Sequence, residues 1–565
     1  MKKLLRIVTI IPALTVILCN KLFAQSIPVG TPVLDDYYRR MQLLGKVDSN
    51  ISFTIRPLFT EALKVTDAYD PDSTLKNSKY LSSPNDLARG RAVIRILPLT
   101  WQQQFNSHHP YGWNDGAMIP AKGYQTLVSG GLFFKYGILT IQLRPEMVYA
   151  ANPPFNGYAV GHSDDELMHY YGWNSYIDQP ERFGTTPYTK FLWGQSSIRL
   201  TFGRISMGLS NENLWWGPGI NNSLLLSNNA PGFKHLTLNT VKPIQTKIGA
   251  FEGQIIAGRL DGSGYNALPV TTNSLGVSLL NPQRAEWRYF TGINLNYHPK
   301  WVPGLTLGLT RTFNSYHSDV KGITGYFPFF FTYFKANTTN ASGDPFERDQ
   351  YTSMYARWLF TKAQAEVYFE FGVNDNSYNL RDFVLSPDHA RAYIFGFRKM
   401  IPITGKKNQN ILIGAEITEL AQSPERTVRG VEYWYIHAGV RHGHTQQGQI
   451  LGAGIGPGSN LQSVELSWVS GLKKIGLKLD RYDHNLEFSK TEFRDINGNK
   501  RNWVDIAFGL QGDWDYKNLL ISAKFQTVKS LNYNWLLKDY TANSYYIPHN
   551  TVYNLRGELG LTYRF

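Results

Sequence analysis

The chain of 565 residues holds one cysteine, Cys19, and no run of uncharged apolar residues long enough to cross a bilayer as a helix, which takes about 20. A helical membrane protein is thereby excluded. Cys19 lies inside the first 24 residues, which read as an export signal. Lys2, Lys3 and Arg6 form its charged start, Ile7 to Leu18 its apolar middle, and Leu22-Phe23-Ala24 the cleavage region before Gln25. Leu18 is a poor fit beside a lipidated cysteine, so Cys19 reads as one more apolar residue of the signal. A mature chain without cysteine has no disulfide, thiolate metal site or cysteine nucleophile.

Acidic residues are also scarce, at 43 against 57 Lys and Arg, a formal charge of +14. Nucleic acid would suit such a balance. Export makes the lipopolysaccharide-containing outer membrane or an acidic polysaccharide the better partner. Mean hydropathy is −0.30, yet 14% of the residues are aromatic. A polar average with heavy aromatic usage suits a transmembrane β-barrel: alternate side chains meet lipid and water, and aromatic girdles mark the interfaces.

The strand pattern is clearest at the end. From Asn554 to Phe565 the odd positions are Leu555, Gly557, Leu559, Leu561, Tyr563 and Phe565, and the even ones include Asn554, Arg556, Glu558 and Arg564. Side chains alternate across a strand, so one face is apolar and the other charged. Glu286–His298, Ala365–Val373 and Leu519–Phe525 repeat the pattern. Charges such as Glu366, Glu370 and Lys524 then face a polar lumen, where Glu366→Gln should be tolerated. About eighteen such segments fall between residues 91 and 565, each near the ten residues that a tilted strand needs.

Tight turns are expected at 135–137, 299–304, 361–362, 471–476 and 513–518, and long loops at 151–194, 205–234, 316–349 and 530–552. The alternation breaks near 205–250 and 400–460, where Gln449 to Ile455 is a candidate further strand. The fold class is all-β: an outer-membrane barrel of about 18 antiparallel strands with a short helical N-terminal region. The division is 1–24 signal, 25–90 periplasmic helical region or plug, and 91–565 barrel. In the second segment Thr31-Pro32 can cap a helix, with Leu34, Tyr37, Tyr38 and Met41 on one face. Asp35/Arg39 and Asp36/Arg40 form pairs four apart, and Gly45 ends the run.

Motifs of catalysis are weak. Gly452 to Gly458 lacks the following helix that a phosphate loop requires. Glu366 and Glu370 sit four strand residues, about 13 Å, apart, beyond the roughly 5–9.5 Å of glycosidase carboxylates. His442 and His444, like His108 and His109, lack a local acidic or histidine partner for a metal site. No Gly-x-Ser-x-Gly elbow occurs. The chain reads as a non-enzyme without cofactor or metal.

The richest stretch is Asn211-Glu212-Asn213-Leu214-Trp215-Trp216-Gly217-Pro218-Gly219, followed by Ser223 to Gly232 with Asn228 and Asn229. Aromatic faces stack on the C–H faces of sugar rings and amides read hydroxyls. Asn211, Glu212, Trp215, Trp216, Asn228 and Asn229 are therefore the candidate glycan-binding residues, the Gly-Pro-Gly turn presenting one or both indoles to an opening. The alternative is a packed loop that shapes or closes the barrel.

This stretch resembles the signature of the capsule-assembly Wzi family of outer-membrane proteins. Asp178–Gly184, Trp193–Ser197, Thr240–Thr246, Phe251–Gly264, Asp115–Pro120, Arg381-Asp382 and Asp388-His389 are similar too. The resemblance implies an eighteen-stranded barrel with a small helical N-terminal part, and a non-enzymatic, lectin-like role in holding capsular polysaccharide at the cell surface. It does not identify the glycan. A porin or glycan-export channel is the competing reading. The Tyr-x-Phe ending is the form that such barrels present to their assembly machinery.

Overall fold

A computed structural model describes residues 25–65, 67–71, 75, 85–87, 92–330, 348–374, 380–385, 387, 389–422, 433–493, 501–536 and 551–565. Residues 1–24, where an export signal is expected, Asp388 and parts of the long loops lie outside the described residues.

Eighteen antiparallel strands form one closed sheet. They are β1 Ala92–Asn106, β2 Gly123–Tyr136, β3 Leu139–Leu143 with Glu146–Ala150, β4 Tyr188–Leu192 with Ser197–Phe202, β5 Ile205–Ser210, β6 His235–Thr240 with Ile244–Gln245, β7 Gly249–Leu260, β8 Arg288–Pro299 and β9 Leu305–Tyr316. The round continues through β10 Asp349–Phe360, β11 Ala365–Asn374, β12 Arg391–Pro402, β13 Gln409–Glu419, β14 Asn460–Ser470, β15 Lys473–His484, β16 Trp503–Tyr516, β17 Leu519–Leu531 and β18 Val552–Tyr563. It closes where β18 pairs with β1, from Arg556 opposite Asn106 to Tyr563 opposite Leu99. Closure leaves no unpaired strand edge, which a bilayer does not tolerate.

Turns at one end are two to six residues long, and connections at the other run from 16 to 40. In outer-membrane barrels the short turns are periplasmic and the long loops extracellular. Two expected turns prove tighter: only Gly471 and Leu472 separate β14 from β15, and only Lys517 and Asn518 separate β16 from β17. Residues 205–210 are a wall strand rather than loop. The alternation of β5 is regular, with Ile205, Met207 and Leu209 outward and Ser206 and Ser210 inward, but it runs for only six residues before the aperiodic 211–234 connection. Gln449 to Ile455 is not a wall strand: Gln449–Ile450 pairs only with Thr445–Gln446, inside the long β13–β14 connection.

The alternation holds across the wall. On β11, Val367 and Phe369 are exposed outward while Glu366, Tyr368 and Glu370 are buried inward. On β18, Leu555, Leu559 and Tyr563 face out and Asn554, Arg556 and Thr562 face in, and Arg564 just beyond the strand is buried too.

Much of the lumen is occupied, with a cavity of about 260 Å³ left between residues 30–33 and strands β1, β16, β17 and β18. Helix α1 (Leu34–Leu43) lies at the short-turn end, with Leu43 among Leu359, Met400, Leu412 and Val469 of the wall. Asp36 and Arg40 pair at 2.6 Å as expected. Asp35 and Arg39 do not: the wall supplies Arg39 with Glu366 at 2.8 Å, and Asp35 accepts the Gly30 N–H instead. Val33, not Thr31, precedes the first helical residue, and the Thr31 hydroxyl turns back to the Pro28 carbonyl. Beyond the helix, the Ser52 backbone meets Glu252 of β7 and Arg357 of β10. Tyr69 meets Arg144 and Arg564 on the opposite side.

Candidate functional site

Residues 211–234, between β5 and β6, turn into the lumen. Trp215 and Trp216 form a two-residue strand against Arg56 and Ile55 of the N-terminal segment. Trp216 is fully buried among Leu214, Leu226, Phe233, Ile256 and Phe290, and its indole N–H donates to Gln254 at 2.8 Å. The ring lies against Gly292 of β8, where a Cβ would come within 2.8 Å of it. Trp215 is buried beneath the Arg56 guanidinium, 4.2 Å from the ring centre. The expectation that Gly217–Gly219 turns an indole toward an opening is not met, because protein covers both rings.

The polar candidates are held as closely. Glu212 accepts from Arg199 at 2.6 Å and from the Ser210 hydroxyl at 2.9 Å, and also meets Ser26. Asn211 donates to the Gly194 carbonyl. Asn228 accepts from Asn213 and donates to the Asn114 carbonyl. Asn229 accepts from the Asn114 N–H and donates to the Ile450 carbonyl. The stretch thus folds into the lumen from the outer side. Glu416 of β13 takes the N–H groups of Ile220, Asn221 and Asn222, and residues 433–459 fold in behind. His444 contacts the Leu225 carbonyl, and His442 bonds Tyr316. Glu366 is ion-paired with Arg39 and Arg357, whereas Glu370 accepts from Ser353.

The outer end has a different character. The β3–β4 connection carries helix α2 (Asp164–Asn174), begun by a capping box in which Ser163 and Glu166 satisfy each other's N–H groups. The β7–β8 connection, residues 261–287, is pinned against it at three places. The Tyr171 hydroxyl reaches the carbonyls of Leu268 and Val270, the Glu181 N–H donates to Ala267, and Ser274 bonds Asp164. Between the two connections lies a cleft of about 120 Å³ lined by Gln179, Tyr265, Asn266, Leu280 and Asn281, among others.

The Asp178–Gly184 segment builds this cleft. Asp178 takes both the N–H and the hydroxyl of Ser263, at 2.7 and 2.5 Å. Glu181 takes the Tyr158 N–H at 2.6 Å. Phe183 meets Tyr265 edge-on at 5.6 Å, and Gly184, at φ +73°, lets that ring settle where a Cβ would be 3.0 Å away. Burial pushes the Asp178 carboxyl up and carries that of Glu181 to about 7, against the Tyr158 N–H, which lowers it. Sequence reasoning missed Tyr265, Asn266 and Asn281. The available signal was Asp178–Gly184, which carries no recognisable site chemistry by itself. Among the described residues no group of three or more His, Cys, Asp or Glu is placed to hold a metal ion.

A closed barrel with an apolar outer wall and asymmetric ends defines an outer-membrane protein. The model of the capsule assembly protein Wzi family matches residues 129–532, and the chain belongs to that family. Its fold matches that of Wzi of Escherichia coli, an outer-membrane carbohydrate-binding β-barrel involved in group 1 capsule assembly. The TM-score is 0.59 at 11% identity, over 96% of this chain and 100% of that one. Acinetobacter baumannii OccAB2 (TM-score 0.38, 11% identity) and Pseudomonas aeruginosa OccK8 (0.37, 8%) also match, each over 83% of this chain and 98% and 97% of theirs. No curated protein matches the sequence.

Proposed function

We propose that this protein binds polysaccharide at the outer face of the outer membrane and helps to assemble or hold a capsule there, without catalysing a reaction. The observation that carries this reading is a lumen packed from both ends beneath a folded extracellular surface. An N-terminal plug and the 211–234 connection meet in mid-barrel, Thr54 against Gly217 and Arg56 against Trp215. Such a barrel offers a surface rather than a passage, which weighs against the porin and exporter readings. The family and the carbohydrate-binding relative point the same way.

Asn211, Glu212, Trp215, Trp216, Asn228 and Asn229 enter this reading as the residues that hold the outer connections in shape, since each bonds or packs on protein. Residues 25–90 act as the inner plug. The basic balance suits an anionic lipopolysaccharide leaflet, and Tyr563-Arg564-Phe565 the barrel-assembly machinery.

The test is a deletion strain assayed for cell-bound and released capsule, with the purified protein in planar bilayers. The expected result is capsule released at constant total polymer, with no porin-sized conductance. Full retention, or steady large pores, would overturn the proposal.

A further inference from the structure

We infer that the cleft between the 151–187 and 261–287 connections is a subsite for one uncharged sugar unit of the surface polysaccharide. The inference rests on the proposed function and locates its ligand.

Four features carry it. First, the cleft is built in advance. Its two walls are tied by Tyr171 to Leu268 and Val270, Glu181 to Ala267 and Asp178 to Ser263, so little ordering is left for binding to pay. Second, four of its polar groups are uncommitted, although Tyr171, Asn174, Ser175, Asp178 and Gln283 of the same lining bond to protein. The side-chain amides of Gln179, Asn266 and Asn281 and the hydroxyl of Tyr265 make no hydrogen bond to other described residues, whereas the amides of Asn211, Asn228 and Asn229 bond to protein. An amide donates and accepts at once, which is what a sugar hydroxyl requires. Third, an aromatic platform is present: Phe183 and Gly184 back the Tyr265 ring, which stays 40% exposed, and Leu280 beside it is 43% exposed. A ring supported behind and open in front suits the apolar face of a pyranose.

Fourth, charge selects the class. The one charged side chain lining the cleft is Asp178, buried and held by Ser263. The nearby cations are already bonded: Arg441 is held by the carbonyls of Ser175, Pro282 and Asn281 in the cleft wall itself, and Arg284 pairs with Asp319 and Glu286. A uronate would have to draw Arg441 away from three wall carbonyls to gain a cation, and would face a carboxyl of its own sign. An acidic polymer would place its neutral units here. The volume of about 120 Å³ is room for a few groups of water size at about 30 Å³ each, the scale of part of one sugar ring.

The experiment uses the full chain purified in detergent. The probes are immobilised neutral gluco-, galacto- and manno-oligosaccharides and oligomers of glucuronate and galacturonate. The wild type is expected to bind at least one neutral series, about tenfold better than the uronates. Asn266→Ala and Tyr265→Ala should each weaken binding about tenfold, as the loss of roughly 1.4 kcal/mol would. Tyr265→Phe should keep most of the affinity, because the ring remains.

Heat-modifiability shows that each variant is folded. Should Tyr265→Ala fail that check, Asn266→Ala and Gln179→Ala, which trim only side-chain amides, decide. Folded variants that bind as the wild type does, or a wild type that binds only uronates, overturn the inference. A wild type that binds none of the probes also overturns it. The proposed function then stands if the deletion strain releases capsule, and falls with it if capsule is retained.

Discussion

Two regions of this barrel are rich in amides and aromatic rings, and they use them in opposite ways. In the 211–234 connection each candidate side chain packs on protein or bonds to it: Trp216 to Gln254, Asn228 to Asn114, Asn229 to Ile450. At the mouth, Gln179, Asn266 and Asn281 leave theirs to solvent, and Tyr265 keeps a face open. A polar group buried in protein gains by bonding to protein, since an unpaired one costs about 1–3 kcal/mol. Density of such residues there reflects packing. The same types unpaired at a surface are free for a ligand.

The largest effects should come from the lumen. Glu366 sits between Arg39 of helix α1 and Arg357 of the wall, at 2.8 and 2.5 Å. Read from sequence, Glu366→Gln is harmless, because a water-filled lumen would hydrate what remains. In the packed lumen it leaves two buried guanidiniums short of their counter-charge, and removing one partner of such a set costs about 3–5 kcal/mol. The expected result is a clear fall in the temperature of heat-modification. An unchanged value would mean that water reaches the site.

Trp216→Ala should cost a similar amount, about 3–5 kcal/mol for a large aromatic deleted from a core. Any capsule loss in that variant should follow the loss of folded protein. A Trp216→Ala barrel of full stability that releases capsule would break the comparison, by making the lumen stretch a binding site. Val367→Lys, on the lipid face one residue from Glu366, should cost about 2–4 kcal/mol near the midplane. Equal stability with the wild type would reverse the assigned faces.

The wall was legible because alternation is a local signal: β18 and β11 show their two faces directly in sequence. The breaks after β5 and in 420–459 have a physical cause. The six residues of β5 do alternate, but they lead into a connection folded into a core, which has no period. The lumen residues were visible as a cluster but not as packed, since burial there depends on Arg56, Gln254 and Gly292 arriving from elsewhere. The mouth cleft was invisible for the same reason: Asp178–Gly184 and 263–283 meet only in three dimensions.

A smaller effect is expected at Gly184. Its φ of +73° is a conformation that costs an L-residue about 1–2 kcal/mol, and a Cβ there would press on Tyr265 at 3.0 Å. Gly184→Ala should therefore leave the barrel's unfolding nearly unchanged, since the strain is confined to one outer connection, while glycan binding weakens. Equal binding by the variant would remove the Tyr265 ring's support from the argument.

The smallest effect is a pH dependence local to the mouth. Glu181 ties residue 158 to the base of the cleft, and burial raises its carboxyl from an ordinary value near 4.5 to about 7. The folded connection therefore holds a proton that the unfolded one releases as pH passes through the ordinary value. Between roughly pH 4.5 and 7 the unfolded form binds fewer protons, so stability falls as pH rises. Glu181's contribution is fullest below 4.5 and lost above about 7. Amide exchange across residues 157–181, corrected for the intrinsic rate, should show stronger protection at pH 5.5 than at pH 8. Glu181→Gln fixes the side chain as neutral and should flatten that difference. His162 and Glu166, which pair in the same connection, are present in both proteins, so the difference in slope isolates Glu181. Matching slopes would mean that its carboxyl is already solvated and that the cleft wall is looser than the bonds to Tyr158 and Ala267 imply.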